Sequence, residues 1–271
     1  MKELKIATFN IRNSENENKK DKANILVDII KKENIDILGM QELTKDYEQT
    51  LKKSLADYKY YGKYRFGNNI FSKFKYNENN IIITNKRVIF NKTIWLPFIA
   101  HNFKDFKESI LKKSITPRIA TMIIISDKEL GKVRVINTHL DYKIPSVKKR
   151  QLQKLKKLIF KYEKKYPVIL TGDFNMESSD EDFKKFIEEL EKNKIKKVKI
   201  TENTYGKING KGNIIDHIFI PESWYVLKSG VIDTKNLSDH HPVYVKIGIQ
   251  EKNINRGYID KIKKALNIKK C

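Results

Sequence analysis

Short apolar runs, several of them rich in β-branched residues, alternate with helical stretches along this chain and end in small polar clusters. The clusters follow or precede their runs in IATFN, ILGMQE, VINTHLD, VILTGDFN, NIIDH and LSDHH. Alternation of strand-like and helical segments predicts an α/β fold. Polar residues at the ends of buried strands, supplied by separated parts of one chain, indicate a shared cleft at the edge of the β core.

Local patterns predict the individual elements. Strands are predicted in LKIATFNI, DILGMQE, NNIIITNKRVIF, RIATMIIIS, KVRVINTHL, PVILTGDFN, GNIIDHIFIP and PVYVKIGI. Helices are predicted in DKANILVDIIKKENI, SVKKRQLQKLKKLIFKYEKKY and SDEDFKKFIEELEKN, the first with Ile25, Ile29 and Ile30 on one side. After the last strand, residues 250–271 are predicted to form a basic C-terminal extension.

Charge and cysteine content limit the partners and the compartment. The formal charge of +23 over 271 residues favours a nucleic-acid partner, with an anionic lipid as the alternative, because Lys and Arg neutralise phosphates. Lysine, asparagine and isoleucine all have codons made only of A and T, so genome composition accounts for part of this charge. Cys271 is the only cysteine, which excludes an internal disulfide. With no signal peptide or membrane span evident, we expect a cytoplasmic monomer.

The polar clusters supply an oxygen-rich set of side chains together with two histidines. Carboxylates and amides that could hold a hard cation, Mg²⁺ or alternatively Mn²⁺, are Glu42, Asp173, Asp216, Asp239, Asn10 and Asn175. Neither a cysteine cluster nor an HExxH motif points to zinc. His139 and His240 suit proton transfer or the stabilisation of a charged phosphoryl group. This combination predicts metal-assisted hydrolysis of a phosphate ester.

Seven short motifs resemble those of the endonuclease/exonuclease/phosphatase superfamily, in the family's order. They are TFNIR at 8–12, GMQE ending at Glu42, NENNIII around Glu78, NTHLDY at 137–142, GDFN at 172–175, IIDHIFI around Asp216 and SDHHPV at 238–243. The resemblance covers residues 4 to about 248. It implies one domain at 1–249 with a deoxyribonuclease-like fold: a four-layer sandwich of two packed mixed β-sheets flanked by helices.

The resemblance also implies roles at the metal and at the attacking water. Glu42 would be a direct metal ligand, with Asn10 nearby and Asp239 as a further acidic contributor. Asp173 would orient or deprotonate the water, and Asn175 would hydrogen-bond the scissile phosphate.

Both histidines receive roles in the same way. His240 is the implied catalytic histidine, with its tautomer fixed by Asp216, whereas the adjacent His241 takes a variable position. Glu78 would orient His139 in the same manner, although Asn77 replaces the glycine that usually precedes this acid.

Arginines are informative because lysine dominates the basic residues. Arg12, Arg65 and Arg118 stand where a bidentate phosphate contact would be useful. FNIR, RIAT and NTHLDY together resemble a branch of small bacterial hydrolases with an FNIR opening. Among the remaining aromatic and histidine residues, we expect a structural role for His217, a surface position for His101 and core positions for Trp95 and Trp224.

Three functions follow from these features. The preferred hypothesis is a nuclease that hydrolyses phosphodiester bonds of nucleic acid. The alternatives are a phosphatase or phospholipase C-like hydrolase, acting on a lipid headgroup, an inositol phosphate or another small phosphate ester, and a catalytically silent binding module. Steep salt dependence of cleavage would distinguish a polyanionic substrate from a small one.

Overall fold

Two six-stranded mixed sheets pack against each other in the computed structural model, which describes residues 1–12, 19–66, 78–97, 117–128, 130–161, 166–234 and 237–250. The first sheet has the order β13-β14-β1-β2-β4-β3, and the second has the order β5-β6-β7-β8-β12-β9. The first sheet consists of β1 (Lys2–Asn10), β2 (Ile37–Leu43), β3 (Lys59–Tyr61), β4 (Asn79–Thr84), β13 (Tyr225–Val231) and β14 (Val243–Ile249). The second consists of β5 (Val88–Leu96), β6 (Arg118–Asp127), β7 (Gly131–His139), β8 (Val168–Asp173), β9 (Ile195–Lys197) and β12 (Asp216–Pro221).

Helices cover the outer face of each sheet. The described residues contain α1 (Lys19–Lys32), α2 (Lys45–Ser54), α3 (Pro145–Phe160) and α4 (Glu181–Lys192). A small hairpin, β10 (Tyr205–Gly206) and β11 (Gly212–Asn213), forms a separate two-stranded sheet that contacts the turn before β14. No helix in the described part of the chain is long and apolar enough to cross a membrane.

The apolar side chains form three layers, which explains the four-layer architecture. Alternate residues of a strand face opposite sides, so Ile6 of β1 packs between the sheets while Phe9 packs outward. Outside the first sheet, Leu26 of α1 and Leu51 of α2 join the same cluster as Phe9. Outside the second sheet, α3 and α4 supply a separate cluster with β7, β8 and β12. The sandwich of two sheets flanked by helices, predicted from the family resemblance, is confirmed.

Parallel and antiparallel pairing together bring strand ends to one edge. β1 pairs in parallel with β2, and β7 pairs in parallel with β8. β12 is antiparallel to β8 with Asp216 opposite Asp173, and β14 is antiparallel to β1 with Val243 opposite Thr8. The ends of four strands and the starts of β12 and β14 therefore lie at the same edge of the sandwich.

Two predicted strands and one predicted helix face were wrong in detail. NNIIITNKRVIF forms β4 and β5, which belong to different sheets, because the polar residues 85–87 carry the chain from one sheet to the other. GNIIDHIFIP likewise divides into β11 and β12. In α1 the buried face contains Ala23, Leu26, Val27 and Ile30, whereas Ile25 is 47% exposed.

Five elements, α2, β3, β9, β10 and β13, were not predicted from the sequence, and one tryptophan was predicted in the wrong place. α2 buries only Tyr47 and Leu51, so its apolar periodicity is weak, and β13 is a largely exposed edge strand. Trp224 is buried as predicted, but Trp95 is 44% exposed. His101 and the predicted C-terminal extension, apart from residue 250, lie outside the described residues.

Candidate active site

The polar clusters predicted from the sequence meet at the common edge of the two sheets. Asn10 ends β1, Glu42 lies near the end of β2, and His139 and Asp173 end β7 and β8. The antiparallel β12 begins at this edge with Asp216, and the turn before β14 adds Ser238, Asp239 and His240. The site thus draws its side chains from both sheets.

Asp173 lies at the centre of this group and is almost completely buried. Its Oδ2 accepts a hydrogen bond from Asn10 Nδ2 at 2.9 Å, and its Oδ1 accepts one from the Asn175 backbone N–H at 2.8 Å. The same Oδ2 lies 3.5 Å from His139 Nε2 and 3.7 Å from His240 Nε2. Two imidazoles and one amide therefore converge on a single carboxylate oxygen.

His240 forms an ion pair with Asp216 behind this centre. His240 Nδ1 donates to Asp216 Oδ2 at 2.9 Å. Burial alone would lower the pKa of His240, but the carboxylates of Asp216, Asp173 and Asp239 outweigh it and raise that pKa to about 10. Burial and the charge of Asp216 raise the pKa of Asp173 to about 7, against the opposing effect of His240. His240 is thus an imidazolium at neutral pH.

His139 differs from His240 in its charge state. Arg118 Nη1 lies 3.0 Å from each ring nitrogen of His139. Burial, followed by the charges of Arg118 and Arg65, holds the pKa of His139 well below its ordinary value. His139 is therefore neutral, with Nε2 facing Asp173 and 4.0 Å from Glu42 Oε1.

Arg65 and Glu78 form a second, nearly buried ion pair beside His139, with Arg65 Nη1 2.9 Å from Glu78 Oε2. Both residues line the same small pocket as His139, Glu42 and Arg118. The orienting role of Glu78 toward His139 stays a prediction, since the contact at 3.0 Å from the ring comes from Arg118.

Unusual backbone geometry places several of these residues. The pairing of β2 with β4 shifts register between Met40 and Leu43, which is typical of a bulge that re-aims a side chain. Within it Glu42 has φ 57°, and Arg12 and Asn175 also have positive φ. Residues other than glycine rarely adopt a positive φ, and those that do cluster at functional sites. Position 172 requires glycine, because a Cβ there would lie 2.2 Å from the Thr138 carbonyl oxygen.

The oxygen donors at the outer part of the site fit a hard divalent cation. Glu42 is 22% exposed at its side chain, and Asn10 Nδ2 donates to its Oε1 at 3.1 Å. Asp239 pairs with Arg12 at 2.9 Å, and the Arg12 backbone N–H donates to Asn10 Oδ1. Partly exposed carboxylates can bind a cation that keeps several waters, as Mg²⁺ does.

Asp173, Asp216 and His240 also bring one donor atom each within 4.8 Å of one another, which is a second place for a metal. We favour the outer position, because the facing atoms of Asp216 and His240 already share a hydrogen bond. A cation between them would have to displace the His240 proton.

Two further predicted residues lie beside this centre. Asn175 Nδ2 donates to the Leu140 carbonyl at 3.1 Å, so its side chain bridges the ends of β7 and β8. His241 is turned toward the β10–β11 hairpin, where its Nε2 donates to the Gly206 carbonyl at 2.8 Å. The phosphate contact predicted for Asn175 stays a prediction.

A buried polar belt beneath the site was not predicted as functional. Gln41 Nε2 donates to Asn137 Oδ1 at 2.7 Å and to Thr8 Oγ1 at 3.0 Å, while Thr171 Oγ1 donates to Asn137 Oδ1 at 3.2 Å. Asn137 Nδ2 donates to the side chain of Asn80, whose Nδ2 donates to a carbonyl of β6. The polar belt therefore ties the two sheets together. Its only sequence signal was the presence of Gln41 and Asn137 inside GMQE and NTHLDY.

Three partly exposed aromatic side chains surround the centre. The ring of Tyr205 lies 5.0 Å from that of His240, and the guanidinium of Arg118 lies 6.0 Å from the ring of Tyr142. Trp95 Nε1 donates to the Arg65 carbonyl at 3.0 Å. All three are more than a third exposed, so a bound molecule could contact them.

His217 lies behind the site and packs among phenylalanines. Its ring lies 4.8 Å from that of Phe183 and 5.7 Å from that of Phe174, and its Nε2 donates to the Met176 carbonyl at 2.9 Å. Burial lowers the pKa of His217 to about 4. The side chain is thus a neutral donor in the core.

This burial makes folding stability depend on pH. Because the unfolded His217 binds a proton near pH 6.5, its contribution is complete above that pH and is lost as the pH falls toward 4. We expect the wild type to lose about 3 kcal/mol more stability than His217→Phe between pH 7 and pH 4, at roughly 1.4 kcal/mol per pH unit. Urea unfolding of both proteins at several pH values measures this difference. Parallel stability curves would show that His217 is protonated in the core.

Comparison with known proteins defines the class. The Endonuclease/Exonuclease/phosphatase family matches residues 7–240, so the chain belongs to this family. Its members hydrolyse phosphoester bonds. No curated protein matches the sequence.

Solved structures share the fold at low sequence identity. The endonuclease/exonuclease/phosphatase from Bacteroides vulgatus is 23% identical with a TM-score of 0.72, covering 92% of this chain and 100% of that one. The Bacteroides thetaiotaomicron mannosyl-6-phosphatase is 20% identical with a TM-score of 0.70, covering 91% and 100%. D. rerio TDP2 complexed with a single strand DNA product is 15% identical with a TM-score of 0.65, covering 91% and 99%.

Proposed function

We propose that this protein is a divalent-metal-dependent phosphodiesterase that cleaves nucleic acid. The observation that carries the proposal is the convergence of the His139 and His240 Nε2 atoms on Asp173 Oδ2, at 3.5 and 3.7 Å. A cationic and a neutral imidazole, both held by charged partners, suit the stabilisation of a phosphoryl group beside a carboxylate that accepts a proton.

The side chains divide the chemistry among them. Asp173, with a pKa near 7, accepts the proton of the attacking water. His240, held protonated by Asp216, donates Nε2–H toward a phosphoryl oxygen. Neutral His139 and Arg118 contact a second oxygen of the same group. When bound by Glu42, with Asp239 and Asn10 beside it, Mg²⁺ or Mn²⁺ supplies neutralisation of the phosphoryl charge.

Features around the centre support nucleic acid as the substrate. Trp95, Tyr142 and Tyr205 are exposed aromatic rings on which bases can stack, and each is held beside a candidate catalytic or phosphate-binding residue. Lys143 lies over the Tyr142 ring and adds a charge suited to phosphates. D. rerio TDP2, which has this fold, holds a single-stranded DNA product, whereas the B. thetaiotaomicron protein of the same fold is a phosphatase.

A substrate panel tests the proposal. With Mg²⁺, we expect cleavage of single-stranded DNA or RNA oligonucleotides, falling at least tenfold between about 50 and 200 mM salt. Trp95→Ala and Tyr142→Ala should lower kcat/KM on the oligonucleotide, relative to bis(p-nitrophenyl) phosphate, by about tenfold, because a stacked base contributes about 1–3 kcal/mol. Trp95→Phe and Tyr142→Phe are the matched controls, since they keep a ring.

Other outcomes would point to different substrates. Release of phosphate from monoesters, or of headgroups from sphingomyelin, without cleavage of oligonucleotides would contradict the nuclease proposal. Binding of oligonucleotides with no hydrolysis of any ester would instead indicate a catalytically silent module.

A further inference from the structure

A groove lies on the outer face of the second sheet, between β5 and β6 and the C-terminal half of α3. It encloses about 400 Å³. This volume lies at the lower end of the range for small-molecule sites, roughly 300–1,000 Å³. Its lining comes from β5, β6, β7 and α3, and it includes none of the candidate active-site residues.

The floor of the groove is apolar because of the strand register. Phe90 of β5 pairs with Ile124 of β6, and Lys92 pairs with Met122. Ile94 follows Lys92 two positions later along β5. Alternate residues face the same side, so the apolar Phe90, Ile94, Ile124 and Met122 share the outer face with Lys92. Arg134 of β7, opposite Ile124, is buried there, and its guanidinium donates to the carbonyls of Leu158 and Ile159. Phe90 is 43% exposed, which leaves this apolar strip partly open to solvent.

The rim of the groove is basic. Lys154 and Lys157 of α3 lie along the groove, and Lys92 projects from β5 between Phe90 and Ile94. Lys149 and Lys156 on the same helix pair with carboxylates of α4, whereas no described carboxylate pairs with Lys154 or Lys157. None of the described lining residues is acidic.

We propose that this groove binds a single-chain anionic lipid, a fatty acid, with its hydrocarbon on the apolar floor and its carboxylate at the lysines of the rim. An apolar floor with unneutralised cations at its border complements a molecule that has one anionic end. The chain's own C-terminus is a poor occupant, because residues 251–271 contain seven Lys or Arg and only two Asp or Glu. The proposal is independent of the phosphoesterase activity.

Calorimetric titration of the full-length protein with sodium decanoate and dodecanoate, below their micelle concentrations, tests this site. We expect saturable binding that tightens about two- to fourfold for each added methylene. Lys154→Gln with Lys157→Gln should weaken dodecanoate binding about tenfold. The matched control, Lys149→Gln with Lys156→Gln, removes the same charge from the same helix and should bind as the wild type does.

Three results would overturn the proposal. The first is equal affinity for neutral decyl glucoside, which would show that no anion is recognised. The second is equal weakening in the rim variant and its control, which would place the lipid elsewhere. The third is absence of saturable fatty-acid binding. If anionic phospholipid vesicles bind instead, the groove is part of a membrane-contacting surface.

Discussion

The Asp216→Asn variant is expected to hydrolyse phosphoesters with kcat lowered about 10³- to 10⁴-fold, by analogy with the loss of the orienting acid in other acid–histidine pairs. Asp216 accepts a hydrogen bond from His240 Nδ1 at 2.9 Å. Its negative charge is the largest of the effects that raise the pKa of His240. The amide removes that negative charge, so His240 would lose its proton at a lower pH. We therefore expect the basic limb of the pH profile of kcat to move to lower pH as well.

A matched substitution separates this effect from general damage. Asp36 also accepts hydrogen bonds and pairs with Lys86, but it precedes β2 and lies at the opposite end of that strand from Glu42. Asp36→Asn should lower stability and leave kcat near the wild-type value. A kcat for Asp216→Asn within tenfold of the wild type would show that the ion pair with His240 is not part of the reaction.

The second large effect is expected for Glu42→Gln, measured as hydrolysis at fixed, subsaturating Mg²⁺. Since a bound cation contributes several kcal/mol to transition-state stabilisation, activity should fall about 10²- to 10³-fold. Raising the Mg²⁺ concentration should restore part of it, because the other two proposed ligands, Asn10 and Asp239, are unchanged. Steady-state rates over a Mg²⁺ series, with calorimetry of Mg²⁺ binding, measure both effects.

The same titration discriminates between the two candidate metal positions. His240→Ala should abolish hydrolysis while Mg²⁺ binding persists, if the cation is held by Glu42. If Glu42→Gln binds Mg²⁺ normally and His240→Ala does not, the cation instead occupies the buried group of Asp173, Asp216 and His240.

The gathering of the site residues was predictable because strand ends have fixed geometry. His139 and Asp173 end the parallel neighbours β7 and β8, which must end at the same edge, so local sequence was sufficient to group these two. Asn10 ends β1 of the other sheet, so its contact with Asp173 depends also on how the two sheets pack. The relation of Arg118 to His139 was not predictable, because it depends on the antiparallel pairing of β6 with β7. The RIAT motif alone does not show which side chain Arg118 will contact.

Side-chain exposure was the least predictable property. Tryptophan is a large apolar residue that usually packs in the core, yet Trp95 lies on the edge strand β5 and is 44% exposed. Ile25 is exposed because only one stripe of α1 meets the first sheet. The periodicity of one sequence shows that a helix has an apolar stripe, but tertiary packing determines which residues of the helix face the sheet.

The polar belt has a consequence for how rigidly the two halves of the site are held. Apolar layers resist separation but resist lateral sliding only weakly, whereas hydrogen bonds are directional and lose strength within a few tenths of an ångström. Gln41 and Asn80 come from one sheet and Asn137 from the other, so sliding would leave buried amides unbonded. The distance between Glu42 and His139, on opposite sides of that seam, is thereby fixed before any substrate arrives.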